Sequence, residues 1–316
     1  MSKELILLEP RGFCKGVIRA KKLVEKALAT AESPVYMRKQ LVHNPQVVEA
    51  LRLRGIKFVE DLADVPIGAS VILSAHGVAP IVYAEAKNRE LKVFDATCPI
   101  VAGVHKEVAR RVRSGYTIIF VGHEGHDEVV GIMGAGGDAI RLVYSRDDVL
   151  TVDVFDPQRV VYFTQTTLTL KETKLIISFL QDRFPKIIGP DTGNICYATE
   201  ERQNVVQQAA ARVDLIIVIG GKNSSNCHRL REVAEERGVE AHLVESASDM
   251  KREWWNTKNV VALTAGASTP EQSVQEAVSY LRSQGFSKPW IMRSAIVGEV
   301  TGESSMHSSK QYRACQ

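Results

Sequence analysis

Residues 215–226 of the chain read LIIVIGGKNSSN, a run of aliphatic residues followed by two glycines and a polar segment. The aliphatic run has the length and the β-branched content of a buried strand. Residues 229–237, just behind the polar segment, have the apolar spacing of a helix. A strand, a polar loop and a helix in this order are typical of a parallel sheet with crossover helices, so we predict an α/β fold.

The same order recurs through most of the 316 residues, where short β-branched runs alternate with amphipathic stretches of helical period. The alternation starts near the N-terminus, resumes before residue 100 and starts a third time before residue 190. We predict strands at residues 5–8, 35–38, 93–95, 117–121, 186–188 and 215–219, and helices at residues 17–31, 46–55, 101–114 and 200–213.

The three starts align on their cysteines, and this alignment shows a repeat of domain size. Cys14, Cys98 and Cys196 each lie between a predicted strand and a predicted helix. A second loop of this kind follows each cysteine at nearly constant distance, at His43, His126 and Ser225. A third loop of this kind follows at residues 74–77, 164–167 and 265–268. In open α/β sheets ligands bind beyond the carboxyl ends of the strands, so each repeat presents its loops at one edge.

The equivalent positions of three cysteines point to a shared metal group, because any one of them alone is better explained as a small buried hydrophobe. Zinc sites usually contain local C-x-x-C pairs, which this chain lacks, whereas an iron-sulfur cluster can gather thiolates from distant loops. Three ligands also leave one iron open as a Lewis acid. Cys227 is out of register and is expected to pack at a helix start, and Cys315 lies in the polar C-terminal stretch.

We therefore predict three similar α/β modules with parallel sheets, arranged with pseudo-threefold symmetry around a central iron-sulfur cluster. A polar segment, with 301–316 expected to be loosely ordered, follows them. The predicted divisions are 1–90 with Cys14, His43 and His76; 91–185 with Cys98, His126, Glu128 and Thr166; 186–285 with Cys196, Ser225 and Ser268; and a C-terminal tail at 286–316.

The composition excludes several classes of protein. The formal net charge is only +3, from 40 basic and 37 acidic residues mixed along the chain. The chain therefore lacks the strong excess of basic residues that is typical of nucleic-acid-binding proteins. No apolar stretch approaches the roughly 20 residues that a membrane span needs, and residues 5–8 are too few for the core of a signal peptide. We expect a soluble, cytoplasmic protein whose cysteines stay reduced.

Several polar residues at the predicted loop edge have both a functional and a structural interpretation. The loop at residues 220–226 offers N–H groups, two hydroxyls and a helix N-terminus to an anion, but N-capping alone also explains its serines and asparagines. His43, His76 and His126 point to the same edge, although a lone loop histidine is more often a surface residue. Glu128 is either a proton donor with Thr166 or Thr167 as a hydroxyl relay, or an acid that favours a helix N-terminus.

Several motifs resemble those of the LytB-type 4-hydroxy-3-methylbut-2-enyl diphosphate reductases, the family that ends the non-mevalonate isoprenoid pathway. They occur in the family's order and jointly are highly specific. The motifs are PRGFC at 10–14, DATCP at 95–99, GHEGH at 122–126, TQTT at 164–167, ICYAT at 195–199 and KNSSN at 222–226.

This resemblance implies a 4Fe-4S cluster on Cys14, Cys98 and Cys196, with an open iron that meets the substrate hydroxyl. Two electrons from a ferredoxin or flavodoxin and two protons would remove water and give isopentenyl and dimethylallyl diphosphates. The resemblance also implies that His126, Thr166 and Glu128 serve the hydroxyl and its protonation. The diphosphate would be bound by His43, His76, Ser224, Ser225, Asn226 and Ser268.

The chain departs from the family's pattern at Lys15, where a small residue is usual, at Cys227, where a small hydroxyl residue is common, and in the tail from Trp290 onward. Two other functions remain open at this point. A non-redox 4Fe-4S lyase, dehydratase or quinolinate-synthase-like enzyme would use the open iron only to polarise an oxygen. A binding or sensing protein with a labile cluster would show no turnover at all.

Overall fold

Strands and α-helices alternate along residues 3–190 and 193–294, which are the residues that the computed structural model describes. The strands are β1 (Glu4–Glu9), β2 (Tyr36–Arg38), β3 (Lys57–Val59), β4 (Ser70–Leu73), β5 (Lys92–Asp95), β6 (Thr117–Val121), β7 (Ile140–Val143), β8 (Val160–Thr164), β9 (Leu215–Ile219), β10 (Glu240–Val244), β11 (Val260–Ala265) and β12 (Trp290–Arg293). The helices are α1 (Lys15–Thr30), α2 (Pro45–Leu53), α3 (Pro80–Asn88), α4 (Pro99–Arg113), α5 (Asp127–Gly136), α6 (Arg146–Thr151), α7 (Leu170–Arg183), α8 (Tyr197–Ala209), α9 (Ser225–Glu235) and α10 (Glu271–Ser283).

All described strand pairs are parallel, and they form three sheets. One sheet has the strand order β10-β9-β11-β1-β12, the second has the order β3-β2-β4-β5, and the third has the order β7-β6-β8. The predicted α/β class with parallel sheets is therefore confirmed. The pseudo-threefold arrangement around a cluster stays a prediction.

The described chain divides into two compact units. The five-stranded unit comprises residues 3–17, 43–47 and 197–294 and contains the largest sheet. The two-sheet unit comprises residues 18–42, 48–190 and 193–196 and contains the other two sheets. Each unit has its own apolar cores.

The stretch LIIVI at 215–219 forms β9, inside the largest sheet, and all five of its residues are 0 % exposed. Leu215, Ile217 and Ile219 pack into one apolar core, and Ile216 and Val218 pack into another on the opposite face. A parallel strand that is covered on both faces requires apolar residues at every position rather than at alternate ones. This requirement explains the unbroken aliphatic run.

The helices bury one apolar stripe each and begin directly behind the loops. In α10, Val274, Ala277, Val278 and Leu281 recur at helical spacing and pack onto one face of the five-stranded sheet. Proline stands at the first position of α4 and of α3, where its fixed φ fits a helix start and its missing N–H costs nothing. These starts place the preceding loops at the carboxyl ends of the strands.

The strand before each cysteine pairs across the predicted module boundaries. β5, before Cys98, pairs with β4, and β1, before Cys14, pairs with β11 and β12. Ile188, before Cys196, makes an isolated parallel bridge to Val161 in β8. The predicted divisions near residues 90 and 185 stay a prediction, but backbone pairing connects the two sides of both.

Two expectations from the sequence differ from the structure. Residues 186–188 do not form a full strand, because only Ile188 makes a ladder contact. The predicted tail at 286–316 contains the strand β12, whose register aligns Ile6 with Trp290 and Glu9 with Arg293. The expected disorder at 301–316 and Cys315 lie outside the described residues. No described helix is both long and apolar enough to cross a membrane.

Candidate functional site

Each of the three aligned cysteines stands immediately before a helix. Cys14 precedes α1, Cys98 is the N-cap residue of α4, and Cys196 precedes α8. All three are partly buried. The Sγ of Cys14 also accepts a hydrogen bond from the N–H of Val17, in the first turn of α1, at 3.4 Å. Helix N-termini favour negative charge, and thiolate is the form of cysteine that binds metals.

The backbone N–H of each cysteine donates a hydrogen bond to a carbonyl in one of the third loops. Cys98 donates to Ala75 at 2.9 Å. Cys14 donates to Ala267 at 3.0 Å, and Cys196 donates to Thr166 at 3.0 Å. The three bonds are equivalent in the repeat, so the internal repeat predicted from the spacing extends to individual hydrogen bonds.

The second and third loops of each repeat lie where the sequence predicts them, between the end of a strand and the start of a helix. The N–H of the second residue in each third loop donates to a carbonyl at or just beyond the end of the neighbouring strand. Gln165 donates to Val121 at 2.8 Å, Gly266 to Ile219 at 3.0 Å, and Ala75 to Leu41, three residues after β2, at 3.1 Å. Both loops thus leave neighbouring strands at their carboxyl ends.

Glu128 is the most unusual ionisable group of the two-sheet unit. Its side chain is 2 % exposed, and it accepts hydrogen bonds from the N–H of Thr166 at 3.0 Å and from the Oγ1 of Thr166 at 2.9 Å. Burial raises the pKa of the carboxyl to about 7, although the two bonds from Thr166 act in the opposite direction. A carboxyl that titrates near neutral pH can both give and take a proton.

His126 lies beside Glu128, and His76 lies beside His126 in the same unit. His126 is the N-cap residue of α5, and its Nδ1 accepts the N–H of Glu128 at 3.2 Å. The neutral ring therefore carries its proton on Nε2. The rings of His76 and His126 meet edge to face with their centroids 5.9 Å apart. Asp127 forms an ion pair with Lys39, and one of its oxygens lies 3.8 Å from Nδ1 of His76. We call His76, His126, Asp127, Glu128 and Thr166 the acid cluster.

A second group of polar side chains lies in the five-stranded unit, at the start of α9 and in the loop before α10. Ser224, Asn226 and Ser268 are buried. Oδ1 of Asn226 accepts the N–H of Ala267 at 3.0 Å, and Oγ of Ser268 donates to the carbonyl of His43 at 3.3 Å. We call this group the amide cluster; its residues are His43, Ser224, Ser225, Asn226 and Ser268.

Two features of the amide cluster suit an anionic ligand. Nδ2 of Asn226 is buried and has no hydrogen-bond partner among the described residues. Ser224 is the N-cap residue of α9, but its side chain makes no cap hydrogen bond. A buried donor without a partner is costly, and helix N-termini attract anions. The amide cluster therefore contains one buried donor, Nδ2 of Asn226, that the described chain does not use.

Cys227 lies in α9 behind the amide cluster and is 0 % exposed, as the sequence predicts for a cysteine packed at a helix start. Burial raises the pKa of its thiol to about 11. A Cβ atom added to Gly220 or Gly266 would approach its sulfur to 2.3 Å and 2.2 Å. The thiol thus occupies a space that the two glycines leave open, and burial keeps it in the neutral form.

Sequence reasoning missed several residues of these sites. Asp127 and Lys39 pair across two loops, and the only signal in the sequence is the position of Asp127 between His126 and Glu128. Arg202 is buried in α8 and donates to the carbonyl of Gly12 at 2.7 Å, which supports the turn before Cys14. Of the two proposed hydroxyls, Thr166 contacts Glu128, whereas Thr167 accepts a bond from Gln165 at 2.8 Å.

Known proteins resemble this chain along nearly its whole length. A family model described as LytB protein matches residues 5–282. The chain is 50 % identical to a 4-hydroxy-3-methylbut-2-enyl diphosphate reductase of Aromatoleum aromaticum, over 90 % of this chain and 91 % of that protein. A reductase of the same name from Ralstonia nicotianae is 48 % identical, over 89 % of this chain and 87 % of its own.

Two solved structures resemble the fold. One is the E-1-hydroxy-2-methyl-but-2-enyl-4-diphosphate reductase of Plasmodium falciparum, with a TM-score of 0.89 and 36 % identity over 95 % of this chain and 96 % of that one. The other is an (E)-4-hydroxy-3-methyl-but-2-enyl diphosphate reductase, described as the terminal enzyme of the non-mevalonate pathway. Its TM-score is 0.62 and its identity 32 %, over 89 % of this chain and 99 % of that one.

Proposed function

The chain belongs to the LytB protein family, and we propose that its cysteines, acid cluster and amide cluster carry out the reduction of 4-hydroxy-3-methylbut-2-enyl diphosphate. It is an oxidoreductase of the non-mevalonate isoprenoid pathway. The reaction replaces a C–O bond of the allylic alcohol by a C–H bond. It consumes two electrons and two protons, releases water, and gives isopentenyl and dimethylallyl diphosphates.

The enzymes of this family depend on iron and sulfur. We propose a 4Fe-4S cluster held by Cys14, Cys98 and Cys196, with the fourth iron open to substrate. The donor set suits such a group, because three partly buried thiols stand at helix starts and their backbone N–H groups are held in the same way. When bound, the cluster would supply electrons and a Lewis acid.

The hydrogen bonds between Glu128 and Thr166 are the observation that carries the proposed mechanism. The carboxyl is buried, and its pKa is raised to about 7. The hydroxyl of Thr166 donates a hydrogen bond to this carboxyl, and the carbonyl of Thr166 accepts one from the N–H of Cys196. A proton on Glu128 can therefore pass to the Oγ1 of Thr166 while that hydroxyl gives up its own proton. We propose that this relay protonates the departing hydroxyl or the allylic carbon, and that His126 orients the leaving oxygen.

The amide cluster supports binding of the diphosphate group. Nδ2 of Asn226 is a buried donor that the described chain does not satisfy, and it lies in the first turn of α9. Hydroxyls and amides bind a phosphate without placing fixed cations beside a redox group. We propose that Ser224, Ser225, Asn226 and Ser268 bind the diphosphate oxygens, together with the imidazoles of His43 and His76.

The two electrons have to come from a separate donor, and we propose a ferredoxin or a flavodoxin. Anaerobic assay of the iron-loaded protein tests the whole proposal. With the allylic diphosphate and dithionite we expect loss of substrate and formation of both diphosphate products. Turnover without any reductant would favour a lyase, and absence of turnover at full iron loading would contradict the reductase assignment.

A further inference from the structure

The part of α1 that lies in the two-sheet unit carries a row of basic side chains on one face. Arg19, Lys22 and Lys26 follow each other at intervals of three and four residues, so they share a face of the helix, and all three are exposed. Ile18, beside them, is 43 % exposed. We call Arg19, Lys22 and Lys26 the basic stripe.

The charge of the basic stripe is not neutralised within the described chain. Arg19, Lys22 and Lys26 make no ion pair with any residue of the described ranges. Glu25, the only acid of α1, is bound instead by Arg54, whose Nη2 donates to Oε2 of Glu25 at 2.6 Å. The guanidinium of Arg54 lowers the pKa of the Glu25 carboxyl, so this carboxyl stays negatively charged and paired with Arg54. The stripe therefore presents a net positive surface to solvent.

Helix stability does not explain this charge distribution. A helix is stabilised by acids in its first turn and by bases in its last turn, and α1 has neither. By contrast, α4 has Arg110, Arg111 and Arg113 in its last turn, and Glu107 pairs with two of them. Like charges at intervals of three and four residues also repel one another. A positive surface that weakens its own helix is expected where it binds a negative partner.

The basic stripe also begins beside one of the proposed iron ligands. Nη1 of Arg19 donates to the carbonyl of Thr97 at 3.0 Å, and Thr97 directly precedes Cys98. The N–H of Thr97 is bound in turn by Asp95 at 2.9 Å. A protein docked on the stripe would thus lie against the backbone of the loop that carries a cysteine.

We propose that the basic stripe is the docking surface for a small acidic electron-carrier protein. This inference rests on the proposed function, since each turnover consumes two electrons from outside the chain. Each encounter transfers one electron, so the carrier leaves oxidised and two encounters are needed for one product. Exposed charges of opposite sign act mainly on the rate of association and are screened by salt. Ile18, 43 % exposed at the N-terminal end of the stripe, adds an apolar contact to such an interface.

Charge reversal of the two lysines tests the proposal directly. We compare wild type with Lys22→Glu/Lys26→Glu in the full chain, and leave Arg19 in place because it supports Thr97. The matched control is Lys87→Glu/Lys106→Glu, which makes the same change in net charge on exposed lysines of α3 and α4. The association rate constant with a purified acidic ferredoxin is measured by stopped-flow at low and at high salt.

We expect the stripe variant to associate about 10- to 100-fold more slowly at low salt, because electrostatic steering contributes about 10- to 10³-fold. The difference should disappear at high salt, and the control should resemble wild type. Equal association rates for the stripe variant and wild type, or an equal loss in the control, would overturn the proposal. Turnover with dithionite should be the same in all three proteins, and its absence in wild type would count against the proposed function rather than the docking surface.

Discussion

At the scale of single residues, burial raises the pKa of Glu128 to about 7 and so suits this carboxyl to proton transfer. We expect Glu128→Gln to keep iron and substrate binding but to lower kcat about 10²- to 10⁴-fold, because the amide does not ionise and cannot give a proton to Thr166. Anaerobic steady-state assays with dithionite measure the loss. Glu124→Gln, in the loop just before α5 and exposed, is the matched control and should keep normal turnover. A near-normal Glu128→Gln enzyme would leave Glu128 with only a structural role at the start of α5.

The raised pKa of Glu128 also predicts a pH dependence of stability. The folded protein holds this proton up to a pKa of about 7, whereas the ordinary pKa of a glutamate carboxyl in the unfolded chain is 4.5, so the folded state binds more protons between these values. Its contribution is fully present below pH 4.5 and is lost as pH rises to about 7. The loss amounts to roughly 3 kcal/mol.

Comparison of wild type with Glu128→Gln isolates this contribution from those of other carboxyls. We expect the free energy of unfolding of wild type, relative to the variant, to fall between pH 5 and pH 7.5. Each unit by which the pKa is raised corresponds to about 1.4 kcal/mol of this free energy. Chemical denaturation of both proteins over this pH range measures the difference. A difference that is independent of pH would mean that the carboxyl is not protonated in the folded protein.

At the scale of helices and loops, the amide cluster at the start of α9 predicts selective loss of diphosphate binding. We expect Ser225→Ala or Asn226→Ala to weaken binding of the diphosphate substrate about 10- to 150-fold, the equivalent of one charge-assisted hydrogen bond. Binding of the free alcohol should not change. Ser279→Ala, an exposed serine of α10, is the control. Anaerobic calorimetric titration measures both affinities, and equal losses for diphosphate and alcohol would argue against diphosphate recognition.

The packing behind that loop gives a second prediction at this scale. A Cβ at Gly266 would lie 2.2 Å from the sulfur of Cys227, so we expect Gly266→Ala to lower the free energy of unfolding by about 1 to 3 kcal/mol. Cys227→Ala should recover part of the loss in the double variant, which a double-mutant cycle by urea denaturation measures. Gly103→Ala, where no atom lies within 4 Å, is the control and should not destabilise the protein. Simple additivity of the two changes would contradict the predicted contact.

The sequence predicts elements well where the signal is local. The buried run at β9 and the polar loops behind it are read from consecutive residues, and the structure confirms both. Long-range pairing is not visible in this way. The β-branched content of residues 186–188 predicts a strand, but only Ile188 pairs with another strand, at Val161. Likewise, β12 has only four residues, and its pairing with β1 depends on a strand far away in the chain.

In the candidate sites, too, contacts between residues far apart in the sequence could not be predicted. Glu128 and Thr166 are both found from their loops, but the raised pKa depends on burial that no single motif contains. The ion pair of Lys39 with Asp127 joins residues far apart in sequence, and so does the bond from Arg202 to Gly12. Such partners are set by the packing of sheets and helices, so local sequence patterns do not predict them.

At the scale of the whole molecule, we predict that the metal group needs all three aligned cysteines. We expect Cys14→Ser, Cys98→Ser and Cys196→Ser each to lose most of the iron, although the three residues belong to different repeats. Cys227→Ser should retain iron, because that thiol is buried in its neutral form. Iron and sulfide analysis of anaerobically purified proteins measures the outcome. Full iron content in any of the first three variants would remove that cysteine from the ligand set.

The pairing of β1 with β11 has a consequence for synthesis on the ribosome. Glu4 to Leu7 align with Val260 to Leu263, so β1 leaves the ribosome long before its partner strand β11. At about 5 to 20 residues per second this delay is roughly 10 to 50 s. During that time the nascent chain exposes Leu5, Ile6, Leu7 and Leu8, which are at most 5 % exposed in the finished protein. This apolar segment is therefore where we expect a ribosome-associated chaperone to bind before β11 is made.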